Sequence, residues 1–170
     1  MAYTYKKLLQ SQITDDEFEM VCSVENSSDE GYGEDIMQEI WVKGNKNDNF
    51  VCFDDDKIVA HISFNPFSKR RNGSIFMVNL TVLPEYRKRG IAQNLILEAC
   101  KYYLNNKESL PMSTSVDKTN IPAVNLYKKV GFCIKEPVCE LDEDDEQYIM
   151  EATLIDIKQK IESFLVAYSV

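Results

Sequence analysis

The sequence has little of what metal sites and covalent cross-links need. It contains one histidine, His61, and five cysteines, and no two cysteines stand in a C-x-x-C pair. Structural and catalytic zinc sites draw on clusters of these two residue types at short spacing. An odd number of widely spaced cysteines also argues against a disulfide framework. The sequence therefore predicts a protein that binds no metal and keeps reduced, mostly buried thiols, as is typical of the cytoplasm.

Positive charge and long apolar runs are scarce as well. Nineteen Lys and Arg residues face 28 Asp and Glu residues, for a net charge of -9. Nonspecific nucleic-acid binding depends on basic surface, so we expect no nucleic-acid partner. No apolar run reaches the roughly 18 residues of a membrane span, and the first ten residues have no signal-peptide core. We therefore expect a cytoplasmic protein without a membrane partner.

The chain reads as one domain of alternating strands and helices, with no repeat and no low-complexity linker. A capping box at Thr14 predicts a first helix, and further helices are predicted over residues 34–43, 89–104, 120–130 and 155–168. Strands are predicted over residues 4–10, 49–53, 57–64, 75–82, 110–116, 132–140 and 147–153. This order predicts an α/β (α+β) fold with a mixed, mostly antiparallel central sheet of about seven strands flanked by helices.

The segment that follows the strand at 75–82 is the most informative. It is a basic loop that contains a glycine and opens an apolar helix. The first N–H groups of a helix have no intrahelical partner and, with the helix dipole, bind anions. Arg87, Lys88 and Arg89 add positive charge there, and Gly90 allows a ligand to approach the backbone closely. The segment predicts a phosphate or pyrophosphate site, and the alternative is a helix start with solvated basic residues.

Two motifs carry a resemblance to a known family. Residues 87–92 read R-K-R-G-I-A, behind L-T-V-L-P-E-Y at 80–86, and residues 120–132 read N-I-P-A-V-N-L-Y-K-K-V-G-F. The two motifs, about 28 residues apart with a predicted strand between them, resemble the GNAT family of N-acetyltransferases. The resemblance implies the GNAT-like acyl-CoA N-acyltransferase fold, with an acetyltransferase domain at 1–153. Residues 154–170 would then be a helical extension of that domain.

The resemblance implies that acetyl-CoA is the co-substrate and that no metal takes part. Backbone amides from Lys88 to Gln93 would hold the pyrophosphate, and Leu80 would donate its N–H to the thioester oxygen. The pantetheine arm would run along the backbone of the preceding strand. The implied donor-binding residues are Leu80, Thr81, Val82, Arg87, Lys88, Arg89, Gly90, Ile91, Ala92, Gln93, Asn120, Ala123 and Tyr127.

The second motif supplies the other implied catalytic group. Tyr127 holds the position of the family's general acid, where a phenol of pKa about 10 would protonate a thiolate whose thiol has a pKa of about 8.5. Packing as a core aromatic is the alternative. Asn120 either meets the pantetheine arm or caps its helix, and both roles are compatible.

The general base is left open by the sequence. Asn79, the polar residue on the central strand, cannot accept a proton. Asp117, Glu140 and His61 are candidates by topology only, and a water-relayed base is the working hypothesis. A histidine on a strand is more often a core or edge residue than a catalyst.

Acidic runs bear on the acceptor. Residues 14–39 contain ten acidic residues and no Lys or Arg, and six of the seven residues from 140 to 146 are acidic. Such walls would attract a cationic amine, such as a polyamine, an aminoglycoside or a Lys-rich or N-terminal peptide, and the alternative is a solvated acidic surface. We expect direct transfer to a primary amine in a ternary complex, because no cysteine suggests an acyl-enzyme. The alternative is a non-catalytic acyl-CoA-binding sensor. The apolar stripe of the last helix allows a monomer or a homodimer.

Overall fold

A computed structural model describes residues 3–9, 12–27, 47–68, 73–106, 109–135 and 146–167. The strands are β1 Thr4–Leu8, β2 Asp48–Asp54, β3 Lys57–Ser68, β4 Ser74–Val82, β5 Met112–Asp117, β6 Cys133–Lys135 and β7 Gln147–Ala152. The helices in these ranges are α1 Asp15–Glu25, α2 Ile91–Asn105, α3 Ile121–Lys129 and α4 Leu154–Ala167, and a 3₁₀ turn covers Pro84–Tyr86. Among the described helices, none combines the length and apolar character that crossing a membrane requires.

The strands form one seven-stranded sheet in the order β1-β2-β3-β4-β5-β7-β6. The β4–β5 pair is parallel, and the pairs β1–β2, β2–β3, β5–β7 and β6–β7 are antiparallel. The parallel pair follows from the crossover through α2, since parallel neighbours need a long connection. The predicted α/β class with a mixed, mostly antiparallel sheet is confirmed.

The predicted elements within the described residues are present, with shifted ends. The helix expected over 89–104 begins at Ile91, because Lys88 and Gly90 have positive φ values of 61° and 79° and cannot be helical. Of the strand predicted over 132–140, β6 covers Cys133–Lys135, and residues 136–140 lie outside the described residues. The helix predicted over 34–43 lies outside the described residues.

Helix α1 begins where the capping box predicts. The Thr14 hydroxyl accepts a hydrogen bond from the Glu17 amide at 3.1 Å, and the Glu17 carboxylate accepts one from the Thr14 amide at 3.2 Å. This reciprocal pair satisfies two of the N–H groups left open at a helix start. The helix buries Val21, Cys22 and Val24 and ends at Glu25, whose side chain is also buried.

The residues group into two compact units. The first comprises Met1–Pro66 and Val78–Ala99, and its core contains apolar side chains of β2, β3 and α2. The second comprises Phe67–Met77 and Cys100–Val170, and its core contains apolar side chains of β4, β5, β7 and α4. Leu154, Ile157 and Ile161 are buried, so the apolar stripe predicted on the last helix is covered within the chain at these positions.

Candidate active site

The loop that opens α2 presents a run of free backbone donors. Within the described chain, no hydrogen bond is made by the amides from Lys88 to Gln93, and the first helical bond runs from the Asn94 N–H to the Gly90 carbonyl at 3.1 Å. Left-handed residues in such a turn are typical of anion-binding nests. Here Lys88 and Gly90 are left-handed. The backbone therefore fits the phosphate or pyrophosphate site that the sequence predicts.

Gly90 is required for its backbone conformation rather than for lack of space. A Cβ atom at this position would meet no heavy atom within 4 Å, but its φ of 79° strains any residue that carries a Cβ. The open space beside Gly90 leaves room for a ligand against the backbone. The donor set and this space together suit a phosphate or pyrophosphate group.

Two arginine side chains of the loop brace it from behind. The Arg89 guanidinium donates to the Glu85 carbonyl at 2.7 Å and to the Tyr3 hydroxyl at 3.2 Å, and it lies 5.1 Å from the centre of the Tyr86 ring. The Arg87 Nε donates to the Val82 carbonyl at 3.0 Å. These contacts fix the turn between β4 and α2, so the two arginine side chains support the loop.

The strand before the loop extends beyond its pairing with β5. Register pairs join Ile75, Phe76 and Met77 to Met112, Ser113 and Thr114, and β4 continues to Val82. Leu80, Thr81 and Val82, the residues predicted to meet the pantetheine arm, all belong to this continuation. The predicted role of their backbone stays a prediction.

A buried polar cluster lies beneath this part of β4. The Glu25 carboxylate is 1% exposed and accepts hydrogen bonds from the Asn79 amide group at 2.7 Å and the Thr81 hydroxyl at 3.1 Å, both on Oε2. Its Oε1 lies 2.5 Å from Nδ1 of His61, which is 0% exposed. The other ring nitrogen of His61 lies 3.4 Å from Oδ1 of Asn49. The carboxylate is therefore shared by a ring and two side chains of β4.

The sequence analysis missed Glu25. A signal was available, because Glu25 follows Phe18, Val21 and Cys22 at the spacing of one helix face, where an acid would be buried. A carboxylate on an apolar helix face needs partners, since unpaired burial of charge is costly. The single histidine was the partner to look for.

The second unit holds Tyr127. This side chain is 7% exposed, and its ring centroid lies 5.7 Å from that of Phe132. Burial raises the pKa of Tyr127 from 10.0 to about 12, against the lowering effect of a hydrogen bond with the Thr114 side chain. Thr114 in turn donates to the Met77 carbonyl at 3.3 Å. Tyr127 is thus both packed as a core aromatic and joined by its hydroxyl to a polar neighbour.

Asn120 caps α3. Its Oδ1 accepts a hydrogen bond from the Ala123 amide at 3.2 Å, so the backbone donor of Ala123 is committed to the cap. In the part of the chain that the structure describes, no partner is recorded for the Asn120 side-chain NH2 group. The capping role is confirmed, and two N–H donors of Asn120 are left for a ligand.

The candidate bases are differently placed. Asp117 accepts hydrogen bonds from the Thr119 hydroxyl and amide, which lower its pKa and make it a weak base. His61 is buried against Glu25, and Glu140 lies outside the described residues. No group of three metal-binding side chains occurs among the residues described.

Comparison with known proteins agrees with these features. The family model described as the acetyltransferase (GNAT) family matches residues 11–132. A curated N-alpha-acetyltransferase of Saccharolobus solfataricus is 36% identical over 56 residues. That match covers 33% of this chain and 34% of the relative, so the chain spans about a third of that relative's length.

Solved structures share the fold. The ribosomal-protein-S18-alanine N-acetyltransferase of Escherichia coli superposes with a TM-score of 0.69 at 16% identity, over 90% of this chain and 94% of that one. The PaiA N-acetyltransferase of Thermoplasma acidophilum, solved in complex with coenzyme A, superposes with a TM-score of 0.68 at 20% identity, over 90% of this chain and 99% of that one. The family model covers well over half of the chain, and on this evidence the chain belongs to the GNAT acetyltransferase family.

Proposed function

We propose that this protein transfers the acetyl group of acetyl-CoA to a primary amine by direct attack in a ternary complex. The observation that carries the proposal is the run of unpartnered amides from Lys88 to Gln93 at the start of α2. A pyrophosphate needs such a run of donors. Family membership makes coenzyme A the carrier of that pyrophosphate.

The donor is held by backbone rather than by side chains. The amides of the loop bind the pyrophosphate, and the backbone of Leu80, Thr81 and Val82 aligns the pantetheine arm. Acetyl-CoA supplies the thioester. The Leu80 N–H donates to the carbonyl oxygen as negative charge develops there, and one such donor contributes about 3–4 kcal/mol in related acyl transfers. Asn120 adds side-chain N–H donors for the arm.

Tyr127 protonates the departing thiolate. With a phenol pKa of about 12 and a thiol pKa of about 8.5, the transfer is uphill by about 3.5 units, or about 5 kcal/mol. This is a larger gap than an ordinary phenol would give. A thiolate formed in the same apolar surroundings has its own pKa raised by desolvation, which narrows the gap. Tyr127 acts as an acid only if the thiolate is desolvated with it.

The acceptor is a primary amine on a small molecule or a peptide. The names of the S. solfataricus and E. coli relatives point to the α-amine of a protein. The acidic residues on α1 favour a cationic acceptor, although fewer of them are available than the sequence suggests. Glu25 is buried, and Glu17 is engaged in the capping box and with Lys6 at 2.9 Å, which leaves Asp15, Asp16 and Glu19 exposed.

Turnover with a panel of amines tests the proposal. The panel contains a polyamine, an aminoglycoside, a peptide with a free α-amine and a Lys-rich peptide with a blocked N-terminus. We expect release of coenzyme A with at least one of them, initial-rate lines that intersect, and no acetylated protein by mass spectrometry. Binding of acetyl-CoA without any turnover would instead support the sensor, and parallel lines with an acetylated protein would exclude the ternary complex.

Ionic strength tests whether the acidic surface attracts the acceptor. If it does, the KM for a cationic amine rises several-fold from low salt to about 0.5 M, because salt screens exposed charges beyond a few ångströms. An amine of low pKa, uncharged at the assay pH, is the matched control and should show no change. Equal behaviour of the two amines would mean that the acidic residues are a solvated surface only.

A further inference from the structure

Asn79 and Thr81 flank Leu80 on β4 and are tied to one carboxylate. Alternate residues of a strand point to the same face, so Asn79 and Thr81 share a face that Leu80 does not. Both donate to Oε2 of Glu25, at 2.7 Å and 3.1 Å. The residue that presents the proposed oxyanion donor is thus held on both sides by Glu25.

The Glu25 carboxylate is already occupied. Oε1 faces His61, Oε2 receives two donors, and the side chain is 1% exposed. Nδ1 of His61 faces Oε1 of Glu25, and Nε2 lies 3.4 Å from Oδ1 of Asn49, so the ring that packs against the carboxylate is itself held on its other side. A carboxylate so enclosed does not meet a substrate directly.

Asn79 donates through its side-chain NH2 group to Oε2 of Glu25, since in an amide side chain only the nitrogen donates. The amide oxygen of Asn79 then points the other way. Asn79 is half-buried, and within the described residues its side chain has only the hydrogen bond to Glu25. Within the described residues no hydrogen bond to its Oδ1 occurs, and Oδ1 is not one of the buried atoms without a partner. The atom is therefore accessible to a ligand. The orientation of Asn79 is therefore dictated by Glu25.

We propose that Asn79 Oδ1 accepts one N–H of the acceptor amine, and that the buried Glu25–His61 pair is the positioning group that holds Asn79 in this orientation. The inference rests on the proposed function and identifies how its amine is held. A hydrogen bond from one amine N–H to Oδ1 leaves the nitrogen lone pair free to attack the thioester carbonyl. The N–C bond forms and the C–S bond breaks. Asn79 takes no proton, so the proton of the attacking nitrogen passes to solvent. The thiolate receives its proton from Tyr127, which regains one from solvent.

A double-mutant cycle tests this link. Asn79→Ala should lower kcat/KM for the amine about tenfold, the effect of one hydrogen bond to a substrate, with the Kd of acetyl-CoA unchanged. Glu25→Gln should give a similar loss, because a glutamine both donates and accepts and no longer fixes the amide. In the double variant the Glu25 substitution should add nothing. If the two losses in kcat/KM multiply in the double variant, Glu25 does not act through Asn79, and the positioning role is overturned. Full activity of Asn79→Ala would overturn the contact between Asn79 and the amine.

The pH profile separates positioning from proton transfer. With no base in this cluster, log kcat/KM should rise with unit slope up to the pKa of the amine, and Glu25→Gln should keep this shape. If the rising part of the pH profile disappears in Glu25→Gln, Glu25 or His61 is the base, and the proposal is overturned. Ser113→Ala is the control for stability, because it removes another buried hydrogen bond, to Ser74, and should leave both kinetic constants unchanged.

Failure of the proposed function would be visible separately. If the wild-type protein released no coenzyme A with any amine, that function would fail. Calorimetric titration of the amine into the protein loaded with coenzyme A would still measure the Kd of the amine and so test its contact with Asn79. Asn79→Ala should weaken that binding about tenfold, and unaltered or absent binding would overturn the inference.

Discussion

The loop before α2 and the helix α3 use polar groups in opposite ways. The loop leaves a run of backbone N–H groups unpartnered, and its two arginine side chains bond back to the turn. In α3 the Asn120 side chain caps the helix, and Tyr127 carries a buried hydroxyl, which is the acid of the proposed function. Backbone donors suit binding, because their position follows from the fold and not from a rotamer. A buried side chain suits proton transfer, because its surroundings set its pKa.

The comparison has a counterpart in the buried cluster. Glu25 and His61 are both buried and ionisable, yet they face each other, whereas Tyr127 faces the uncharged Thr114 hydroxyl. The Glu25 carboxylate is enclosed by bonded neighbours, whereas burial keeps Tyr127 in its protonated form. In the proposals above, the first group therefore positions its neighbours and the second is the acid.

The largest effect should come from Tyr127→Phe. If Tyr127 is the general acid, kcat falls by about 100-fold or more, in the range of general acid catalysis, while acetyl-CoA binds as before. Steady-state rates and calorimetry measure the two. Tyr103→Phe is the matched control, since Tyr103 is a tyrosine that is 2% exposed in the same unit, and it should keep its activity. A Tyr127→Phe variant with full activity would reduce Tyr127 to a packing residue.

The fold and the loop before α2 could be predicted from the sequence, because both follow from patterns within short segments of the chain. Alternating apolar residues, the Thr14 capping box and the turn glycines each act over a few residues, and the structure confirms the class of the sheet. The positive φ at Gly90 explains why the helix begins later than its apolar pattern suggests. The pairing of Glu25 with His61 could not be predicted, because it joins residues 36 positions apart.

The pKa of Tyr127 could not be predicted either. Nothing in the motif indicates a departure from the ordinary phenol pKa, because desolvation depends on how closely α3 packs. The same is true of Asp117, which topology made a candidate base and which hydrogen bonds from Thr119 turn into a weak one. Motifs identify which residues matter, and packing decides how they titrate.

The next effect concerns stability at high pH. Burial raises the pKa of Tyr127 to about 12 from the 10.0 of an exposed phenol, so folding favours its protonated form. This stabilisation is fully present below pH 10 and is lost as the pH rises through 12. The loss approaches about 3 kcal/mol. Tyr127→Phe lacks the ionisation and should lose less stability between pH 9 and pH 12. Raised pKa values of Cys52, about 11, and Cys100, about 12, act equally in both proteins and cancel.

Urea unfolding at each pH measures the difference between the two proteins. Tyr103→Phe again serves as the control for the loss of a hydroxyl. Parallel curves for the wild type and Tyr127→Phe would mean that Tyr127 reaches water in the folded protein. That result would mean a smaller difference in pKa between the Tyr127 phenol and the thiol of coenzyme A, and the proton transfer would be less unfavourable.

The smallest effect tests the backbone side of the comparison. Gly90 and Gly73 are alike, with φ values of 79° and 75° and no heavy atom within 4 Å of an added Cβ. Gly90→Ala and Gly73→Ala should therefore each lower the free energy of unfolding by about 1–2 kcal/mol, since both force alanine into the left-handed region. Only Gly90 lies among the unpartnered amides, so only Gly90→Ala should weaken acetyl-CoA binding, by about tenfold, as the strained loop shifts its donors. Equal Kd values for acetyl-CoA in calorimetry of the two variants would show that these amides do not hold the pyrophosphate. Strain at Gly90 would then have no more effect on the ligand than strain at Gly73.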